Sequence, residues 1–456
     1  MTAPRTKSRS RKRRVRAGKL RKREGLALII AMTAIAVLAV LLAEMHENTG
    51  TSFAVANSGR DALKAEMLAR SSLDLTRMVI GRERQIRAVI APLYQMLVGR
   101  APPQLPVWRV ANDLLQPFCN YDQSGEGLTA AGFDLGNIEG LGDTGGECEI
   151  MGMAENSKIN VSDPLLSDGI PAKKNLAMSM FSLMGGYHAP SPYDALFERQ
   201  DSEGQFNTRL DIVSNICDWW DYDETRTVFD PGATEVTESG SEDDIYRRYR
   251  TPYYAKNAPF DSIEELRLVR GVTDDFWATF VQPDPDNILT ERLTIYGSGS
   301  LNPNEADPFA MIARVCSFIP EQTLCVDPLE AAKFIQLVNT VRSIAPLPFF
   351  SNGGQFLNFI EGKGGPRELY PMLLSMLGAD STLMFRPVTI PAAIRGRMDS
   401  SFITEAKIMT LRAVGRVGRA EVKIRAVLNI HDRWTPPPPN AGTMPLLGIF
   451  HYYRIE

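Results

Sequence analysis

Residues 25–44 read GLALIIAMTAIAVLAVLLAE, and the fold turns on how this stretch is understood. Eighteen consecutive uncharged residues, Leu26 to Ala43, follow a glycine. As a helix they reach ~27 Å, close to the ~30 Å hydrocarbon core of a bilayer. A cleaved secretory signal would have a shorter apolar core, a small-x-small exit and then extended or turn structure. Here Glu44 and Met45 lead into residues that stay compatible with a helix. Phe53, Ala56, Leu63, Met67, Leu68, Leu73, Met78 and Val79 recur at mixed three- and four-residue spacings. Gly50, Gly59 and Gly81 are the weak points before Pro92. The expectation is one long helix, or two collinear ones, membrane-embedded first and amphipathic afterwards.

The 456 residues carry a net charge of -4, which hides an asymmetry. Residues 1–24 hold twelve Lys/Arg and one acid, leaving 38 basic against 53 acidic side chains, a net charge of -15, in the rest. Basic residues directly before an apolar span fit the positive-inside rule, which keeps them in the cytoplasm and places the body across the membrane. A nucleic-acid or nuclear-import patch is the other reading of the leader. An acidic body argues against phosphate-backbone binding and leaves room for a hard cation such as calcium.

Five cysteines are too few for a disulfide scaffold and form no C-x-x-C pair. Proximity in sequence suggests Cys119 with Cys148 and Cys316 with Cys325, leaving Cys217 over. Four scattered histidines and the absence of metalloprotease, nucleophile-elbow, Walker and dinucleotide motifs give no foundation for an enzyme.

Beyond Pro92 the chain is broken by prolines and then becomes rich in glycine and acid, so no long helix is expected over 92–150. Residues 148–161 suggest strand, turn at Glu155-Asn156-Ser157, and strand. From Pro164 to Leu377 helical segments alternate with Pro and Gly, including Asn207–Trp220, residues 328–343 and residues 352–362. Strands are expected at Thr382–Thr389, Ser401–Ala413, Arg419–Ile430 and Leu447–Ile455, with Val422, Ile424, Ala426 and Leu428 on one face.

The acidic cluster is the best candidate site. Asp218, Asp221 and Asp223 close one helix, and Glu242, Asp243 and Asp244 follow a Gly/Ser/Thr-rich loop that could fold back. Calcium takes six to eight oxygens, which such carboxylates and nearby carbonyls supply. An EF-hand loop from Asp221 fails, with Arg226 where the turn glycine belongs. Solvated acids are the plainer alternative. A helix-turn-helix over Asp261–Phe280, with Gly271 at the turn, has the outline of a DNA-binding hairpin. Asp274 and Asp275 crowd that turn and repel phosphate, so core packing through Leu266, Val269 and Trp277 is the stronger reading.

A basic leader ending in Gly25, an apolar half-helix and an amphipathic half-helix resemble type IV pilins and pseudopilins. In that class a prepilin peptidase cuts after the glycine, which here would make Leu26 the N-methylated terminus. The class usually has Glu at the fifth position after the cut; here it is Ile30. That departure, Ser157-Lys158-Ile159-Asn160-Val161, Asp218-Trp219-Trp220-Asp221-Tyr222-Asp223 and Asn257–Val272 resemble the protein K family of type II secretion minor pseudopilins.

The resemblance implies an α+β pseudopilin fold, a long N-terminal helix on an antiparallel sheet. It also implies a large inserted all-helical domain with helix-hairpin-helix or SAM-like units. The implied divisions are a leader at 1–25, the helix at 26–91, first strands at 92–162, the insertion at 163–377 and closing strands at 378–456. It implies a non-enzymatic subunit capping a periplasmic pseudopilus, anchored by one span in the bacterial inner membrane. Its implied partners are other minor pseudopilins and the prepilin peptidase, with no nucleic acid. Calcium held by Asp218, Asp221, Asp223, Glu242, Asp243 and Asp244 is part of the same implication. The alternatives are an anchored periplasmic metal-dependent enzyme and a competence-type DNA binder.

Overall fold

The computed structural model describes residues 21–113, 115, 146–162, 170–186, 190–197, 200, 206–231, 236–344, 348–365, 368–378, 383–430 and 447–456. The chain divides into two units, Met1–Leu63 and Lys64–Glu456. Helix α1 spans Arg21–Gly81 and runs unbroken through Gly50 and Gly59. In the first unit its apolar run is exposed throughout, from Leu26 at 62% to Leu42 at 65%. It is the one helix among the described residues long and apolar enough to cross a membrane.

Helix α2, Glu83–Val98, follows a break at Arg82, whose φ of -99° and ψ of 1° leave the helical ladder. The helix was expected to stop at Pro92, but Pro92 lies inside α2. Proline removes the donor for the Ala88 carbonyl, and Ala88 is exposed, so water can take that acceptor. The stop comes at Gly99, in left-handed backbone with φ 81°.

Among the described residues, the strands and longer helices go on with β1 Gly146–Ala154, β2 Ile159–Asn160, α3 Ile170–Leu183, α4 Arg209–Trp220, β3 Thr225–Val228, β4 Thr237–Ser241 and β5 Leu293–Thr294. They continue with α5 Pro308–Cys316, α6 Pro328–Ile344, α7 Gly353–Ile360, α8 Leu369–Leu377, α9 Ala392–Ser400, β6 Ile408–Val417, β7 Ala420–Asn429 and β8 Ile449–Ile455.

The main sheet is antiparallel in the order β1-β6-β7-β8. In the second unit, Ala69, Leu73 and Ile80 of α1 share a core with Ile150, Leu411, Ile424, Ala426 and Leu428 of the sheet. Ile424, Ala426 and Leu428 are all fully buried, as the period-two pattern of β7 requires. Gly415 lets the helix approach: a Cβ there would overlap the Ala65 carbonyl oxygen and lie 2.9 Å from Ala69 N.

Sheet neighbours β1 and β6 are separated in sequence by the helical insertion, residues 155–407. Its own core gathers Ile216, Phe280, Phe334, Phe356 and Phe359. The strand expected at Thr382–Thr389 does not form in its described part, residues 383–389. Pro387 and Pro391 remove ladder donors, so the segment runs extended, buries Phe385 and Val388, and donates from Val388 N to the Ile360 carbonyl. The next expected strand starts at Ile408 rather than Ser401: residues 401–407 pair with no strand of the sheet and make only an isolated bridge, Phe402 with Leu301. The Asp261–Phe280 pair forms, with irregular helices. A 3-10 segment, Ile263–Leu268, is followed across Gly271, at φ 90°, by an α-helical turn, Asp274–Phe276, that continues as a π-helical turn, Trp277–Val281. Leu266, Val269 and Trp277 are buried there, in the packing role expected of them.

The segment Ser157–Val161 ties the insertion to the sheet. Strand β2 pairs parallel with β5. Lys158 Nζ lies 3.0 Å from Glu155 Oε1 and 2.8 Å from Glu291 Oε2, all three side chains nearly fully buried. Arg425 of β7 reaches Glu291 Oε1 at 2.7 Å, and Thr294 and Thr410 donate to Glu155. Burial alone would raise the Glu291 pKa; Lys158 and Arg425 outweigh it and hold the carboxyl below its ordinary value.

Cys316 and Cys325 are disulfide-bonded, as expected, and Cys217 is a buried free thiol. Cys148 is disulfide-bonded as well. Its expected partner Cys119, like the leader up to residue 20 and the proline run at 436–439, lies outside the described residues.

Candidate metal centre

Helix α4 starts at a capping box: Asp211 N donates to Thr208 Oγ1, and Asp211 Oδ2 accepts from Thr208 N. This fixes the register of a helix whose last turn carries Asp218 and whose C-cap is Asp221. Three-residue spacing puts these carboxylates on one side of the helix end. The hairpin β3–β4 then returns the chain, and Glu242 N donates to the Glu224 carbonyl at 3.4 Å. Glu242 opens a 3-10 turn and enters the same space. One carboxylate oxygen from each of Asp218, Asp221 and Glu242 lies within 4.8 Å of the others.

These acids are buried, with Glu242 only 1% exposed. Asp218 Oδ1 accepts from Thr227 N at 2.8 Å. Asp218 Oδ2, both Asp221 oxygens and both Glu242 oxygens have no hydrogen-bond partner. Lys173 Nζ of α3 is 2.6 Å from Asp221 Oδ2, which places the charges in contact, while its directed hydrogen bond goes to Asp223 Oδ2 at 3.1 Å.

Burial pushes the carboxyl of Asp218 up to about 7. Asp221 is raised to about 6, again by burial, with Lys173 opposing. Glu242 is raised to about 9 by burial and by the charges of Asp221 and Asp218. Three desolvated carboxylates with orphaned oxygens are a costly arrangement for a protein alone. A hard divalent cation fits these residues, since it wants oxygen ligands and removes the repulsion.

The other three acids expected at the site are placed elsewhere. Asp223 is half-exposed and divides its oxygens between Thr225 N and Lys173. Asp243 accepts from Ala255 N and pairs with Arg247, and Asp244 is exposed. None of the three joins the buried group. Lys173 was missed in the sequence reading: nothing in a Lys-Lys pair at a helix start announces a buried partner for acids some fifty residues on.

Residues 193–281, which contain the whole acidic group and the Gly271 turn, match the family described as Type II secretion system (T2SS), protein K. The resemblance read from Asp218–Asp223 and Asn257–Val272 is thus borne out over that stretch. A crystal structure of the GspK-GspI-GspJ complex from the type 2 secretion system of enterotoxigenic Escherichia coli is similar to this chain at 13% identity. That likeness covers 68% of this chain and 80% of the other, with a TM-score of 0.38. No curated protein matches the sequence.

Proposed function

We propose, from the protein K domain at residues 193–281, that the chain is a minor pseudopilin that caps the periplasmic pseudopilus of a type II secretion system. There it joins other minor pseudopilins and promotes export of folded proteins across the outer membrane. The observation that carries this reading is the joining of that domain, in one chain, to a helix with a fully exposed apolar half. An exposed apolar helix needs lipid or neighbouring helices around it. Residues 26–43 supply the single inner-membrane span before assembly, and the acidic body lies in the periplasm.

Prepilin peptidase cuts after Gly25 on this reading, and Leu26 becomes the methylated terminus. Ile30 in place of an acid at the fifth position gives up a charge pairing with the terminal amine of a neighbouring subunit. A subunit at the tip has no use for that pairing, and the bulky insertion is tolerated only where no further subunit stacks. The Gly271 turn serves as a helix-hairpin-helix packing unit. The role is structural rather than catalytic, and calcium is the cation for Asp218, Asp221 and Glu242.

Mass spectrometry of the N-terminus of membrane-derived protein tests the reading. A methylated chain starting at Leu26 is expected. A chain that starts at any other residue removes the pseudopilin assignment.

A further inference from the structure

Lys173 is not a surface lysine. It lies on α3, whose next turn buries Leu176 and Ala177 in the helical core, and its own side chain is 10% exposed. Its ammonium touches Asp221 at 2.6 Å, Asp223 at 3.1 Å and Glu238 at 3.6 Å. It therefore stands between the buried acidic group, through Asp221, and two partly exposed acids outside it. Fully ionised, the three buried acids Asp218, Asp221 and Glu242 carry three negative charges and Lys173 returns one. Within this buried set the remainder is two, the charge of a divalent ion; Asp223 and Glu238 are partly exposed and their charges are screened by water.

We propose that Lys173 is a built-in counter-cation of the acidic site, setting its charge demand to that of a divalent ion and holding Asp221 in place when no metal is bound. The inference rests on the divalent-cation reading of the site and adds the residue that tunes it. A fixed ammonium a few ångströms from a bound ion repels it in proportion to the ion's charge. Lys173 accordingly lowers affinity for every cation and lowers it most for trivalent ions. In exchange, the metal-free protein keeps one favourable ion pair where it would otherwise confine acids without any internal cation.

The test uses the full chain in detergent, stripped with chelator, titrated with calcium chloride and with lanthanum chloride by calorimetry. Wild type is compared with Lys173→Met and with Lys173→Arg, which keeps the charge. In K173M, calcium affinity is expected to rise by roughly tenfold or more, and lanthanum affinity to rise further than calcium. K173R is expected to stay within about threefold of wild type for both ions. In chelator K173M should melt below wild type, and calcium should close that gap. If K173M does not fold without metal, Lys173→Gln provides the same comparison while keeping a donor toward Asp223.

Wild type that binds calcium, with unchanged affinities for both ions in the neutral variants, overturns the role of Lys173 and leaves the calcium reading standing. Binding in K173M but not in wild type removes calcium as the native cation and overturns the tuning role, because the lysine then takes the place of the ion. Binding in neither removes both.

Discussion

Lys158→Met probes the joint between insertion and sheet. The substitution keeps the aliphatic stem and removes the ammonium that sits 3.0 Å from Glu155 and 2.8 Å from Glu291. Taking one partner from a buried ion pair costs about 3–5 kcal/mol, because the remaining charge stays buried without compensation. Here Arg425 still pairs with Glu291, and Thr294 and Thr410 still donate to Glu155. The loss should therefore fall near the lower bound, about 3 kcal/mol. For a large domain this lowers the melting temperature by roughly 5 °C, read by near-ultraviolet circular dichroism of the full chain in detergent. The double variant K158M/E155Q should recover part of the loss, since it neutralises the stranded carboxyl. A K158M melting temperature within about 1 °C of wild type would refute the reasoning. So would a double variant less stable than K158M.

Three further outcomes follow from the same geometry. The folded pKa values of Asp218, Asp221 and Glu242, about 7, 6 and 9, lie above their unfolded values of about 4. The metal-free folded state thus binds more protons than the unfolded one between about pH 4 and 9 and loses stability as pH rises through that interval. Melting in chelator at pH 5 and pH 8 should give the higher temperature at pH 5. Glu242→Gln should raise the melting temperature in chelator at pH 8, because a carboxyl with a folded pKa of about 9 must take up a proton on folding and an amide need not, and should remove most of the stabilisation wild type gains from calcium. Gly415→Val forces the sheet off α1, because even a Cβ overlaps the Ala65 carbonyl. A loss of about 1–3 kcal/mol or more is expected in denaturant titration, and a neutral result would show that the helix does not rest on β6 there.

Much of this architecture was legible because it depends on patterns only a few residues long. The uncharged run at 26–43 and the alternation of β7 each specify an element locally. The inference failed where local signal and tertiary context part. Met384–Ile390 has strand-forming residues, but Pro387 denies it a ladder donor. Pro92 reads as a helix breaker, yet its orphaned carbonyl lies on an exposed face. Strands β3 and β4 went unread because Thr225–Val228 and Thr237–Ser241 have little apolar alternation; the hairpin instead lies beside a buried carboxylate group. Asp218, Asp221 and Glu242 were legible as acids in a suggestive order. That Asp223, Asp243 and Asp244 stand outside the group depends on which oxygens the backbone, Lys173 and Arg247 take up, a matter of ångströms that residue order does not encode.

The separation of β1 from β6 also governs the order in which the molecule can be built. Ala154 meets Met409 in the ladder, so β1 waits for about 250 further residues before its partner exists. Closing a flexible loop of that length costs ~5 kcal/mol in chain entropy, against ~2 kcal/mol for a loop of ten residues. If the insertion collapses on its own core first, the bond from Asn156 Nδ2 to the Glu405 carbonyl, and Leu301–Asn302 bridging Phe402 to Asn156, bring its two ends toward one another and shorten the effective loop. The helical insertion then acts as an internal template for the sheet, and nascent β1 remains an unpaired, aggregation-prone edge until that template has formed.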